Sequence, residues 1–431
     1  MIKSKQIGFL LFMVFIAGIL FPVFSEAQNF PPYQKYEGPL KPGMEITREN
    51  FDQYSFELKK LLMPSKFQWY AMGITEGLVT MPIGEARQCS LSKGQINATL
   101  KYKGTARISA NNQLENWTAG VPFPEPKNSL ELAWDANPTI YRAGHSDDCV
   151  QPSAFALYRG TRYEKRFVWN LYNRQCRGRM DIPPLGDLPS FTNGGISQKE
   201  SLLVFEPHEV RGFIQLRIRY WAVDKPDSCY GYIPTIRRIR RLTGSDLTDP
   251  LLGSDCVPDD FEAWRQKLDD KMEFRILECR DFLVPRTYIG SKNKPPYDYR
   301  KHGPCVQAIS EFRTLWVMEV TLKDPDYVYS KRLFYINATP FDEKGDFLIY
   351  WGENFDLKGR LWRAGGFAVH YDNGEGFRTL NNWIYMNVRS NHYSMMDNFK
   401  PCYDPPEHFH KVLPLKEDQA FSIKGLLRRA R

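Results

Sequence analysis

The sequence predicts a mainly β chain of the α+β class, built on one large antiparallel sheet with a few helices. Three observations carry this. Apolar residues recur at every second position, which places them on one face of a strand. Aromatic residues are abundant, with Trp 10, Tyr 23 and Phe 28, and they favour strands and bulky cores. Helical periodicity is confined to two short stretches.

The strands come first. Ile214, Leu216, Ile218 and Tyr220 point one way, and Gln215, Arg217 and Arg219 the other. Trp316, Met318, Val320 and Leu322 repeat the pattern opposite Glu319, Thr321 and Lys323. Leu333 and Tyr335, then Phe347, Ile349 and Trp351, continue it, with a hairpin connection around Asp342 to Gly345. Asp356 to Gly359 is a second turn, leading into Leu361 and Trp362. Each strand has one polar and one apolar face, as antiparallel sheets do.

Two helices are expected. Thr47 caps the first, Glu49 lies in its first turn, and Phe51, Tyr54, Phe56, Leu58, Leu61 and Leu62 form its apolar face, with Pro64 as the stop. Asp259 or Asp260 caps the second, with Phe261, Trp264 and Leu268 on one side. Asp181 to Lys199, Thr243 to Pro258 and Lys292 to Pro304 read as loops.

The N-terminus bounds the compartment. Lys3 and Lys5 precede an apolar run from Ile7 to Phe24, followed by Ser25-Glu26-Ala27. This is a secretory signal pattern, with cleavage expected after Ala27. An uncleaved anchor is the alternative, because the run approaches spanning length. No Cys follows the run, so no lipoprotein acylation site is expected. The organisation expected is a signal peptide over 1–27, an extended Pro- and Gly-rich arm over 28–45, a single large domain over 46–425, and a basic tail over 426–431. The expected location is the periplasm.

Eight cysteines fit an oxidising compartment: Cys89, Cys149, Cys176, Cys229, Cys256, Cys279, Cys305 and Cys402. The default in an exported protein is disulfides, and their pairing is not deducible. Wide spacing and the lack of C-x-x-C argue against zinc ribbons, thioredoxin-type sites and c-type haem. Net charge is +8, from 58 Lys plus Arg against 50 Asp plus Glu. Arg237, Arg238, Arg240 and Arg241 form a tight cluster at a strand end or on an edge strand. Lys424, Arg428, Arg429 and Arg431 make a basic end. In an exported protein, anionic headgroups or an acidic partner face suit such clusters better than nucleic acid. One set of the arginines can pair with Asp246, Asp255, Asp259 or Asp260, since arginines on both faces of a strand are hard to bury alone.

The familiar catalytic signatures are missing: no nucleophile elbow, P-loop, dinucleotide fingerprint or H-E-x-x-H. His408 and His410 are the one close histidine pair, without a convincing third metal ligand. His145, Asp147, Asp148 and Cys149 cluster, with Cys149 read as a bridge partner. Asp259-Asp260 and Asp269-Asp270 read as a helix cap and a solvated face rather than paired acids. Asn97, Asn116 and Asn337 begin Asn-x-Thr triplets, which matter only on a eukaryotic secretory route. No catalytic residue, metal or cofactor is expected.

Several stretches together carry a resemblance. They are Asn116 to Pro124 with Trp134 and Asp135, Glu206 to Gly212, Tyr232 to Arg241 with Gly244 to Asp246, Arg313 to Val320, Lys331 to Ile336, and Phe355 to Arg363. In this order they resemble the proteobacterial envelope family DUF1329, whose members are often labelled outer-membrane lipoprotein-sorting proteins. The resemblance spans roughly residues 45 to 425. It implies a Lol-carrier-like fold, a strongly curved antiparallel sheet or incomplete barrel wrapped around helices and enclosing an apolar cavity for acyl chains. Family genes commonly neighbour large exporters and outer-membrane proteins, which implies envelope transport. Eight cysteines exceed the family's usual number.

On that basis the expected function is a non-enzymatic carrier or accessory protein. Its partner would be a lipid, a lipoprotein acyl chain or a sterol-like molecule, with peripheral membrane contact. Ile214, Leu216, Ile218, Tyr220, Trp316, Met318, Val320 and Leu322 are the candidate cavity residues, set against an ordinary core role. Arg237, Arg238, Arg240 and Arg241 are the candidate headgroup or partner contact. The alternatives are an assembly factor docking an exporter or outer-membrane protein, and, less favoured, an exported hydrolase.

Overall fold

In a computed structural model of the chain, residues 30–87, 91–138, 147–242, 249–289, 297–372, 378–398 and 420–430 are described. The signal segment, Cys89, His145, Asp246, Cys402, His408, His410 and Arg431 lie outside them. In chain order the strands are β1 Tyr33–Gln34, β2 Glu45–Ile46, β3 Met81–Gly84, β4 Arg107–Ile108, β5 Leu114–Glu115, β6 Asp148–Arg159, β7 Arg162–Gln175, β8 Ile196–Glu206, β9 Ile214–Tyr220, β10 Ser228–Ile233, β11 Arg238–Leu242, β12 Met272–Pro285, β13 Thr287–Ile289, β14 Ser310–Leu322, β15 Lys331–Asn337, β16 Ile349–Phe355, β17 Leu361–Asp372, β18 Arg378–Asn387 and β19 His392–Asn398. The helices are α1 Phe51–Leu61, α2 Pro64–Thr75, α3 Lys93–Tyr102, α4 Ser129–Ala136, α5 Pro189–Thr192 and α6 Ile423–Ala430.

One antiparallel path runs β11–β10–β9–β8–β7–β6–β19–β18–β17–β16–β15–β14–β12. Among the described residues only β1, β3 and β13 add parallel pairs, on β12, β14 and β17. The two ends of the path do not pair among the described residues, so the sheet is large and unclosed. The alternation read from Ile214 to Tyr220 and from Trp316 to Leu322 lies on β9 and β14, and both turns expected after β15 and β16 close antiparallel hairpins.

The curvature follows from one short segment. Arg265 pairs with Glu200 on β8, while its neighbour Gln266 accepts a hydrogen bond from Arg332 on β15. Laid flat, β8 and β15 would be seven strand spacings apart, roughly 34 Å. Consecutive residues sit about 3.8 Å apart, so the sheet must curl around them. Residues 250–271 therefore form a plug on the concave face. Residues 106–137 adjoin it through Asn112 to the Asp269 carbonyl and Asn137 to the Gln266 carbonyl. The other face of β12–β16 carries α1 and α2. Trp351 stacks on Trp69 of α2 with ring centroids 6.2 Å apart, whereas the next residue, Gly352, faces Ala263 of the plug.

The helix expectations need correction. The first helix starts at Phe51, not after a Thr47 cap: Asn50 Oδ1 instead accepts from the Thr47 amide at 2.8 Å. Phe56 is 67% exposed and leaves the apolar face. Pro64 does end that helix but also opens α2, where its missing N–H costs nothing. The second expected helix is a broken 3₁₀ turn over Pro258–Ala263, with Glu262 and Ala263 left-handed at φ 54° and 68°. Asp259 and Asp260 do not cap it. They are buried and engaged by Tyr327, Tyr329 and Arg332, because tertiary partners outbid the local helix signal.

Candidate functional site

The two apolar stripes reach different surroundings. Ile214 and Leu216 are buried in a small separate cluster with Tyr172, Leu203, Ala420 and Phe421, and Ile218 packs against it half-buried. Tyr220 lies at the strand end, its hydroxyl 3.3 Å from Ser228 Oγ and its ring under Lys225. On β14, Met318 and Val320 are buried in the main core and Leu322 is half-buried against it. Trp316 stacks at 6.4 Å on Phe347 and lies 5.3 Å from Phe30. None of these eight residues lines the cavities described below.

The polar face of β9 is buried as well. Arg217 and Arg219 are 8% and 2% exposed. Asp227 accepts Arg217 at 2.7 Å and Arg219 at 3.0 Å, and Lys267 forms an ion pair with it at 3.3 Å. Burial alone would raise its carboxyl, but Arg219, Arg217 and Lys267 hold it well below the usual range. Arg217 also reaches Asp259 at 3.5 Å, and Arg265 reaches Glu200 at 2.7 Å and Glu262 at 3.6 Å. Arg332 extends the lattice to Asp260 and Asn354. Plug and sheet thus meet through paired buried charges, which need their partners to stay dry. The void left here, lined by Leu171, Leu251 and Phe261 beside Glu200 and Arg265, is about 50 Å³. That is room for a few waters.

The arginine cluster is placed as an edge strand. Arg238, Arg240 and Arg241 lie on β11, which among the described residues pairs with β10 alone, and Arg237 sits in the turn before it with φ 51°. All four are exposed. No ion-pair partner reaches them among the described residues. The carboxylates proposed as partners are committed elsewhere: Asp259 to Arg217, Asp260 to Arg332, and Asp255 to Ser394 and His392.

The cysteine expectation is corrected for five residues. Cys176, Cys229, Cys256, Cys279 and Cys305 are buried thiols, while Cys149 is disulfide-bonded. The thiols are dispersed: Cys279 sits on β12, Cys229 on β10, Cys256 in the plug, and Cys305 against Gly73 of α2. Burial pushes Cys229 and Cys279 up to about 11 and Cys305 up to about 12. Such thiols are poor nucleophiles.

Two clusters could suggest chemistry. Asp255, His392 and Ser394 meet, but Ser394 Oγ donates to Asp255 at 2.8 Å rather than to the ring. Both ring nitrogens of His392 face carboxylates, Asp255 at 2.6 Å and Glu164 at 3.1 Å. The Asp255 hydrogen bond, then the charges of Asp255 and Glu164, raise the imidazole pKa against burial, and with Ser394 directed to Asp255 and both ring nitrogens held by carboxylates the three do not form a Ser–His relay. Lys66 and Glu353 are buried between α2 and the sheet. Burial lowers the amine to about 7 and raises the carboxyl. Glu353 is satisfied by Ser65 and Tyr335, and no described cavity opens onto either. No group of three metal-ligating side chains occurs among the described residues.

The largest described concavity is a groove of about 750 Å³ between the end of α3, β4 and the start of α4. Pro122, Phe123 and Pro124, the end of the Asn116 to Pro124 stretch, form one wall. Asp135 in α4 fixes that loop by accepting the Phe123 amide at 2.8 Å, and burial pushes its carboxyl well above normal. Trp117 Nε1 closes the turn on the Gly120 carbonyl at 2.9 Å. Gly120 is required there: at φ 85° it lies so close to Thr99 that a Cβ would sit 2.4 Å from the Thr99 nitrogen. Ala106, Ile108, Leu130 and Phe274 make the inner surface, and exposed Lys103, Arg107 and Lys127 stand at the rim with Glu125 and Glu131. Lys103 is held by Glu125 at 2.6 Å. Reading strands alone missed this groove. The Gly-x-Pro-Phe-Pro segment was its one legible signal.

Comparison with known proteins places the chain. An uncharacterized protein, PA3922, of Pseudomonas aeruginosa is 23% identical over 337 residues, spanning 75% of this chain and 68% of its own length. Three crystal structures are similar to it at 15% identity. A DUF1329 family protein of Desulfovibrio piger has a TM-score of 0.44 and covers 66% of this chain and 93% of its own. A putative outer membrane lipoprotein-sorting protein domain of Vibrio parahaemolyticus has 0.46, with 70% and 98% covered. A LolA superfamily protein of Nitrosomonas europaea, NE2245, has 0.39, with 65% and 96% covered. The sequence profile of DUF1329, a protein family of unknown function, matches residues 45–416, and the chain belongs to that family.

Proposed function

We propose that this protein is a non-enzymatic carrier in the bacterial envelope that holds an amphipathic lipid-like ligand, with the groove beside α4 as the ligand subsite. The groove supports this reading by its shape and lining: its volume falls within the roughly 300–1,000 Å³ of small-ligand sites. Ala106, Ile108, Leu130 and Phe274 give it an apolar strip beside Ser109, Asn128 and Ser129, and Lys103, Arg107 and Lys127 stand at its mouth with Glu125 and Glu131. Each methylene that an acyl chain buries there contributes about 0.8 kcal/mol, and Arg107 and Lys127 suit an acidic head. The plugged concavity is what moves the ligand site out to this groove.

The test is lipid analysis. The protein is expressed with its own leader, purified as the host processes it, and extracted with organic solvent for mass spectrometry. A bound lipid, reduced about tenfold by Leu130→Asp with circular dichroism unchanged, is the expected result. No lipid in the extract at any expression level overturns the reading.

A further inference from the structure

The open end of the sheet presents a second surface, opposite in character to the charged interior. Cross-strand partners share a face. Tyr230 stands opposite both Leu216 and Arg241, and Tyr232 opposite both Ile214 and Ile239. Arg241 and Ile239 therefore share the face on which Phe421 and Ile423 pack. On α6, Ile423 and Leu427, four residues apart, are half-buried, while Lys424 and Arg428, also four apart, are exposed. Residues 420–431 contain four cationic side chains and no Asp or Glu.

We infer that this face, β11 together with α6, is a docking surface for an anionic phospholipid bilayer. On this face Arg241 joins exposed Lys424 and Arg428, with exposed Arg237 in the adjoining turn, while Arg238 and Arg240 alternate to the other side of the edge strand. The four arginines have no described ion-pair partner. Ile236 and Ile239, 45% and 44% exposed, stand among them and can enter the interfacial layer. The surface is an edge strand and a helix with no described cavity. A headgroup layer needs charge and shallow apolar contact but no shaped pocket, whereas an acidic protein partner needs complementary relief. The edge arginines also keep β11 from pairing with another chain. The inference goes beyond the carrier reading and does not depend on the groove.

The test is flotation of the protein, processed by its host, with vesicles of phosphatidylglycerol and phosphatidylcholine, and with phosphatidylcholine alone. Binding to the anionic vesicles only, lost at high salt, is expected. The triple variant Arg241→Glu, Lys424→Glu, Arg428→Glu should weaken it by about 100-fold or more, at about fivefold per cation removed. A control triple, Arg48→Glu, Lys344→Glu, Lys358→Glu, exposed elsewhere, should lose less than fivefold, with circular dichroism confirming that both variants fold. Equal binding to neutral vesicles, no binding to anionic ones, or equal loss in the two triples overturns the inference. Lipid in the organic extract without vesicle binding overturns this surface and leaves the groove standing.

Discussion

Strands β9 and β14 carry the same alternation and are used in opposite ways. On β14 both faces are core: Met318 and Val320 share a face with Phe334, which stacks on Trp264 of the plug at 4.4 Å, while Val317 shares the other with Tyr335 over α2. On β9 the arginine face meets the plug, and among the described residues the isoleucine face is covered by the C-terminal Ala420, Phe421 and Ile423. An apolar stripe therefore marks which residues share a face, not which face is interior. Where another segment delivers carboxylates in register, the charged face is the one that can be enclosed.

This contrast can be broken most sharply at Asp227. Asp227→Asn leaves Arg217, Arg219 and Lys267 buried with their shared partner neutral, a loss expected to cost about 3–5 kcal/mol. Urea denaturation measures it, and a loss below 1 kcal/mol would show the β9 arginine face to be effectively hydrated. In the wild type, the depressed Asp227 carboxyl contributes stability above its unfolded value near 3.9. That stability is lost as pH falls through the lower folded value.

The apolar faces should differ next. Met318→Ala removes a fully buried side chain pinned from both sides and is expected to cost about 3–4 kcal/mol. Leu216→Ala lies beneath a terminal segment that can settle into the gap, so about 2 kcal/mol is expected. Equal losses in thermal or urea melts would mean that the C-terminal segment covers β9 as firmly as the plug covers β14.

The smallest effect belongs to His392, which ties the plug's Asp255 to Glu164 on β7. Its raised pKa means that its stabilisation is complete below the unfolded value near 6.5 and fades as pH rises through the folded value. His392→Gln should flatten that part of the stability–pH curve. An unchanged curve would place the pH dependence elsewhere.

What was legible in the sequence was local. Period-two runs gave β9 and β14 correctly, and the Asp342 to Gly345 and Asp356 to Gly359 turns gave two hairpins. The Pro-x-x-Arg-Arg-x-Arg-Arg segment marked an edge strand. The plug was misread as a helix because Phe261, Trp264 and Leu268 sit at helical spacing, although they serve as separate anchors in an irregular chain. Helix α2 was missed because Pro64 signals a start as readily as a stop. The groove was missed because it is made by loops whose meeting depends on Asp135 and Gly120.

By itself the sequence determined the β class, the pairing of side chains onto faces, the basic edge and the family. These depend on spacing along the chain, which backbone geometry converts directly into direction. Only the tertiary structure decided which face is enclosed, which carboxylates meet which arginines, and that five cysteines stay apart as thiols. Those outcomes depend on segments brought together by the curl of the sheet, and burial rewards whichever charged face finds its partners there.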